Sequence, residues 1–127
     1  MIVHNPESVG APIGAYVHAL ETPANARLLH ISGQIGMEVD GTIPADAESQ
    51  ARIIWRNIAA ILASADMASG DIVKMTAFLV DPQDLSAYGQ VRAEALGGHC
   101  PTSTLVYVAG LVKPELKIEV EVVAARA

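Results

Sequence analysis

The chain has 127 residues, 51% of them hydrophobic, which suits one domain that buries its own core. Fourteen acidic and eight basic residues give a net charge of −6, and the basic residues are scattered, so no surface for nucleic-acid phosphates is expected. The one cysteine, Cys100, excludes an internal disulfide, and no apolar run approaches the roughly 18 residues that a membrane span needs.

The N-terminal region lacks the basic start and apolar stretch of a signal peptide, so we expect a soluble cytoplasmic protein without a membrane partner. Two strands are predicted at 16–20 and 27–32, joined by a turn as a hairpin. Pairing Leu20 with Leu28 would place His18 opposite His30 and Tyr16 opposite Ser32 on one face.

The next segment changes from strand to helix periodicity. A helix is predicted at 45–65, because apolar residues recur there at steps of three and four: Ala47, Ala51, Ile54, Ile58, Ile61, Leu62 and Ala65. A turn at Gly70 and Asp71 then leads into a strand at 72–80.

A second helix is predicted to start at Asp81, which suits the N-cap, with Pro82 at the first helical position and an end at Gly97. Two last strands follow at 102–109 and 115–124. The order ββαβαββ predicts a single α+β domain over 1–127, in which two helices cover one face of a mixed sheet.

The other face of this sheet has an unusual composition. On the last strand Ile118, Val120 and Val122 suit the core, while Glu119, Glu121 and Val123 point the opposite way. We expect Ser103, Leu105 and Tyr107 of the preceding strand to share that second face. A surface that mixes apolar groups with carboxylates and imidazoles indicates a subunit interface that contains pockets.

Several motifs in chain order resemble those of the RidA/YjgF family of reactive-intermediate deaminases. The similarity covers nearly the whole chain through PIGAY at 12–16, ISGQIG at 31–36, Gln50-Ala51 with Asn57, DIVKMTAFL at 71–79 and KIEVEVVA at 117–124. The resemblance implies a chorismate-mutase-like α+β fold, a homotrimer and small-molecule pockets between subunits. It also implies cofactor-free hydrolysis of enamines or imines such as 2-aminoacrylate.

One position departs from the family pattern. Deaminases of the family hold the substrate carboxylate with an arginine in a Pro-x-Arg-Ser/Thr run, and here the run reads Pro101-Thr102-Ser103-Thr104. A serine hydroxyl replaces paired charge-assisted hydrogen bonds, a loss of about one to three orders of magnitude in binding. Either the substrate differs, or another group replaces the clamp, or the pocket no longer catalyses.

The resemblance and the chemistry together give a set of candidate site residues. Glu121 is the expected catalytic carboxylate that positions water and moves protons, whereas Glu119 is expected to be structural or solvated. Tyr16 either donates a hydrogen bond to the substrate or packs as an interface aromatic. Substrate contacts are expected from Ser32, Gly33, Ser103, Thr104, Leu105, His18 and His30.

The two histidines have alternative readings. In one reading, one histidine partly replaces the missing charge or serves as an acid or base. In the other, both are interface residues whose hydrogen bonds are satisfied. No metal ligand set is expected, because the spacing of the His, Cys and Glu residues gives no support for one.

Three functions follow from these expectations. The first is an enzyme that hydrolyses an enamine or imine and releases ammonia. The second is a trimer that binds a small metabolite without catalysis. The third is a ribonuclease or translation inhibitor, which the net negative charge and the missing basic patch argue against.

Overall fold

The computed structural model describes all 127 residues as one α+β unit. Its strands and helices are β1 (Ile2–His4), β2 (Ala19–Glu21), β3 (Arg27–Ile35), α1 (Ala47–Ser64), β4 (Ile72–Leu79), α2 (Leu85–Leu96), β5 (Thr102–Tyr107) and β6 (Ile118–Arg126). Short 3₁₀ turns precede β4 and α2. No helix combines the length and the apolar content that crossing a membrane requires.

The main sheet has four strands in the order β3-β6-β4-β5. The β3–β6 and β4–β6 pairs are antiparallel, and the β4–β5 pair is parallel, so the sheet is mixed as predicted. β1 and β2 form a separate two-stranded ribbon. The longest antiparallel ladders therefore meet on β6, which lies inside the sheet.

Both helices cover one face of the main sheet. Their apolar sides and the inward residues of β4 and β6 form a core cluster of 19 buried residues. Ile118, Val120 and Val122 are at most 2% exposed, which confirms the face predicted for β6. The core thus lies entirely between the helices and this side of the sheet.

The helix ends follow local capping chemistry. The side chain of Asp46 accepts a hydrogen bond from the backbone N–H of Ser49 at 2.9 Å, which also lowers the pKa of that carboxyl. Asp81 accepts from the N–H of Gln83 in the same way at 2.9 Å, and Gly97 ends α2 in the left-handed conformation with φ of 57°. The predicted positions of both helices are confirmed.

One buried polar side chain connects the first helix to the last strand. Gln50 is fully buried and donates to the carbonyls of Pro44 and Glu115 at 2.8 and 3.0 Å. Its own oxygen accepts from the N–H of Lys117 at 2.9 Å. These bonds satisfy the amide inside the core and fix where β6 begins.

The predicted N-terminal hairpin is wrong. β2 pairs with β1, and β3 pairs with β6, so His18 does not face His30 and Tyr16 does not face Ser32. The N–H of Val17 instead donates to the carbonyl of Pro101 at 3.2 Å, beside the start of β5. Strand alternation indicates a face but not a partner, and the long ladder along β6 outweighs a short local hairpin.

The predicted face of β5 is also wrong. In the parallel ladder Ser103, Leu105 and Tyr107 are in register with Met75, Ala77 and Leu79, whose side chains are buried beneath the helices. Leu105 packs against the core cluster and is not on the open face. Register partners share a side of a sheet, so Thr102, Thr104 and Val106 belong to the open face instead.

Candidate functional site

The candidate site occupies the open face of the main sheet, opposite the helices. The register of β4 with β6 places Lys74 beside Val123, Thr76 beside Glu121 and Phe78 beside Glu119. Two hollows contain most of the residues that the sequence singled out. The Glu121 hollow lies on this face, and the Tyr16 hollow lies at the start of the edge strand β5.

The Glu121 hollow is a concavity of about 330 Å³ lined by His30, Ile31, Ser32, Lys74, Thr76, Glu121, Val122 and Val123. Three of the predicted residues, His30, Ser32 and Glu121, therefore lie together. Glu121 is exposed in the single chain and has no ion-pair or hydrogen-bond partner within it. Its carboxylate is thus free to bind a water molecule or a ligand.

A β-bulge in β3 faces this carboxylate. The register with β6 shifts between Ile31 and Gln34, so that Ser32 and Gly33 fall outside the regular ladder. The Gln34 amide donates to the Ser32 carbonyl at 3.0 Å and braces the bulge. Bulges of this kind aim side chains out of a sheet, and this one directs Ser32 into the Glu121 hollow.

Glu119 lies on the other side of the same bulge. A Cβ atom at Gly33 would overlap its carboxylate, so the glycine provides the space that this side chain fills. Glu119 is partly buried, and its predicted role was structural or solvated, in contrast to the catalytic role predicted for Glu121. Two carboxylates therefore flank Ser32 and Gly33.

The Tyr16 hollow is a second concavity of about 420 Å³, lined by Tyr16, Val17, His18, Ala19, Leu20, Lys74, Met75, Thr102, Ser103 and Thr104. It thus holds four of the predicted residues. The Tyr16 hydroxyl accepts a hydrogen bond from the N–H of Ile13 at 3.2 Å. The centroids of the Tyr16 and His18 rings lie 6.1 Å apart in a T-shaped arrangement. The tyrosine is therefore held by its own loop.

His18 organises that loop and has no contact with a second histidine. Its ring Nε2 donates to the carbonyl of Gly10 at 2.6 Å, and its backbone N–H donates to the side chain of Asn5 at 2.7 Å. Arg92 of α2 donates to the carbonyl of Ala15 at 3.0 Å and ties the loop to the helices. One of the two readings for the histidines, a satisfied side chain, fits these contacts of His18.

Lys74 joins the two hollows, because it lines both. In the sequence alone, Lys74 was one of eight scattered basic residues. The alternation of the strand at 72–80 was a usable signal, since it places Lys74 on the same side as Thr76 and Phe78. Within one chain the hollows remain separate, and Tyr16 does not line the hollow that contains Glu121.

The largest concavity lies elsewhere, between α1 and α2, and measures about 600 Å³. Ten of its fourteen lining residues are hydrophobic, and its charged rim residues Arg52 and Glu94 pair with each other at 3.0 Å. It offers little polar chemistry. No group of three His, Cys, Asp or Glu side chains is placed to hold a metal ion.

Comparison with known proteins agrees with this fold. The model of the Endoribonuclease L-PSP family matches residues 7–126. The chain therefore belongs to this family, which is the RidA/YjgF family to which its motifs pointed.

Three relatives illustrate the similarity. TdcF of Escherichia coli K12 is 36% identical over 129 residues, covering 98% of this chain and 96% of its own. The 2-iminobutanoate/2-iminopropanoate deaminase of the same strain is 35% identical over 124 residues, covering 94% of each chain. The crystal structure of the Rid-family protein YyfB from Yersinia pestis superposes with a TM-score of 0.86 at 28% identity, covering 98% of both chains.

Proposed function

We propose that this protein hydrolyses a small enamine or imine and releases ammonia. An enamine first becomes the imine by moving a proton from nitrogen to carbon. Water then adds to the carbon of the C=N bond, both protons of the water pass to nitrogen, and the C–N bond breaks to leave a carbonyl compound and ammonia. The Glu121 hollow carries this proposal, because an unpaired carboxylate there faces Ser32 across the open bulge. A carboxylate in this position suits the activation of water and the transfer of its proton.

The family relationship supports the reaction class. A relative of 35% identity is named for deamination of 2-iminobutanoate and 2-iminopropanoate. Both compounds carry a carboxylate next to the imine carbon, and here Ser103 stands at the position expected for a carboxylate-binding arginine. We therefore propose a substrate that differs from these in size or in the placement of its charge.

We further propose that a homotrimer completes the site. The open face exposes apolar residues such as Leu28 and Val106, which are 56% and 40% exposed, beside its polar groups. Neither helix covers this face, and a neighbouring copy would bury these side chains. The Tyr16 hollow of one copy would then close the Glu121 hollow of the next, with Tyr16 as the hydrogen-bond donor to the reacting nitrogen.

A second function, ligand binding without catalysis, is favoured by one observation. The crystal structure of E. coli TdcF contains bound serine and superposes on this chain with a TM-score of 0.74 at 33% identity. An amino acid in a relative's structure agrees with a pocket that captures small metabolites. Ser103 stands where the family deaminases have a carboxylate-binding arginine, so this chain lacks one group that their catalysis uses.

An ammonia-release assay separates the two functions. Amino-acid oxidases generate imino acids in situ, and the ammonia released is followed with and without the protein. We expect acceleration by the native chain and a loss of about 100-fold or more in Glu121→Gln, as for removal of a general base. Glu119→Gln tests the second carboxylate, and Glu115→Gln is a matched control on an exposed loop.

Each outcome of this assay has a defined meaning. Loss in Glu119→Gln with full activity in Glu121→Gln would transfer the catalytic role to Glu119. No acceleration across a broad panel of imines would support binding alone. Ser103→Arg should increase activity on 2-aminoacrylate, and light scattering should give three chains per particle, whereas a stable monomer would contradict the shared pocket.

A further inference from the structure

Lys74 is the only positively charged residue that lines either hollow of the candidate site. Its side chain is exposed on β4 and takes part in none of the four ion pairs of the chain. Glu121 is its diagonal neighbour across the β4–β6 ladder, a position within reach of long side chains, yet the two groups form no ion pair. The ammonium group thus has no anionic partner within the chain.

The other cations are engaged or distant. Arg52 and Arg56 pair with carboxylates on the helical side, and Arg27, Arg92 and Arg126 donate to backbone carbonyls. Lys113 and Lys117 lie before β6 in the chain and line neither hollow. An anionic ligand bound between the two hollows would therefore meet one positive charge, that of Lys74.

We propose that Lys74 anchors the anionic group of the substrate, most simply a carboxylate, and so takes over the role that Ser103 cannot perform. This proposal rests on the proposed function, because it specifies the substrate class of that site. Lys74 is in register with Thr102, the residue before Ser103, and lines the same hollow as Ser103. The anchor is therefore close to the position at which the family resemblance expects the arginine.

The chemistry of lysine adds a second expectation. An arginine fork fixes a carboxylate by two parallel hydrogen bonds, whereas an ammonium is a point charge on a flexible stem. Lys74 should therefore hold a carboxylate with less control of its orientation. We expect acceptance of a range of acids rather than sharp selection for one.

The first test measures binding without catalysis. Titrations followed by NMR use L-serine and 2-oxobutanoate as carboxylate probes and 2-butanone as a probe without the carboxylate. Lys74→Met should weaken binding of both acids about 10- to 100-fold, the value of a charge-assisted hydrogen bond, and leave the ketone unchanged. Lys113→Met is the matched control, and equal binding of the acids by Lys74→Met and the native chain would overturn the proposal.

The second test measures kinetics and identifies the charge as the active feature. Lys74→Met should raise KM for imino acids with a smaller change in kcat, and Lys74→Arg should restore the affinity because it keeps the charge. Failure of Lys74→Arg together with loss of kcat in Lys74→Met would indicate a nucleophilic amine and overturn the anchoring role. In a Ser103→Arg background the effect of Lys74→Met should shrink, since the arginine supplies a second anchor.

The two proposals fail in different ways. If the native chain binds the acids through Lys74 but hydrolyses no imine, the anchor stands and the deaminase activity does not. If imines are hydrolysed with the same KM in the native chain and in Lys74→Met, the activity stands and the anchor does not.

Discussion

The two faces of the main sheet are built from the same strands but differ in burial and in side-chain chemistry. On β4, Met75, Ala77 and Leu79 are at most 1% exposed beneath the helices, while the residues between them lie on the open face. The helix-covered face is packed by residues of the same chain. The open face instead combines an unpaired lysine, two glutamates and exposed apolar side chains.

This difference separates stability from function in the molecule. The buried face supplies the apolar area that stabilises the fold. The open-face side chains are held in place by the backbone ladder beneath them and contribute little packing within the chain. Substitutions on that face should therefore change activity or assembly while the fold persists.

The largest effect is expected when the same substitution, valine to aspartate, is made once on each face of β6. Val122 and Val123 are adjacent in β6. Val122 belongs to the core cluster and is 2% exposed, whereas Val123 is only partly buried and points to the open face. Val122→Asp buries an unpaired charge, which should cost about 3–5 kcal/mol of the free energy of unfolding. Val123→Asp should leave a folded chain, and urea denaturation followed by circular dichroism measures both variants.

The result for Val123→Asp decides how independent the open face is. A folded variant that no longer forms trimers would place this face in the subunit interface. If Val123→Asp unfolds the chain as completely as Val122→Asp, the open face is as structural as the core, and the separation proposed above is wrong.

The sequence predicted the buried half of the molecule well for physical reasons. Helix positions follow from apolar periodicity and from local caps such as Asp46, Asp81 and Gly97, which need no information from distant residues. The inward face of β6 follows from the alternation of its isoleucine and valine residues. Family motifs in chain order then predicted the fold class.

The open half was less predictable, because its arrangement depends on which strands pair. Alternation at 16–20 and 27–32 was compatible with a hairpin, but the partner of β3 is β6, nearly a hundred positions later in the chain. The register of β5 with β4 placed Leu105 under the helices, and that register is not visible in composition. Lys74 became a candidate only when the two hollows were seen to share it.

Two glycines of the β3 region sharpen the comparison further. A Cβ atom at Gly36 would overlap Gln50, including its Cα atom, and the helix backbone cannot easily move. Gly36→Ala should therefore cost about 1–3 kcal/mol as an overpacked core does. A Cβ atom at Gly33 would meet the movable side chain of Glu119, so Gly33→Ala should cost little stability. Ammonia release should fall, because the shifted carboxylate would disturb the bulge that carries Ser32.

Thermal denaturation and the ammonia assay on both variants check this pair. The native chain and Glu119→Ala serve as references. The double variant of Gly33→Ala and Glu119→Ala removes the overlap and shows whether the Glu119 side chain causes the loss. A large loss of stability in Gly33→Ala that Glu119→Ala fails to relieve would mean that the bulge itself, rather than the carboxylate, requires glycine.

The smallest expected effect concerns an ionisable group on the buried side. Burial raises the pKa of Tyr88, and the nearby charge of Arg92 offsets this only in part. The unfolded tyrosine ionises near pH 10 while the folded one stays neutral, so its contribution is fully present below about pH 10 and is lost as the pH rises further. The native chain should therefore lose about 1 kcal/mol more than Tyr88→Phe between pH 9 and 11 in urea titrations. Parallel losses in the two proteins would show that Tyr88 reaches water, and the helix-covered face would then be less closed than its packing indicates.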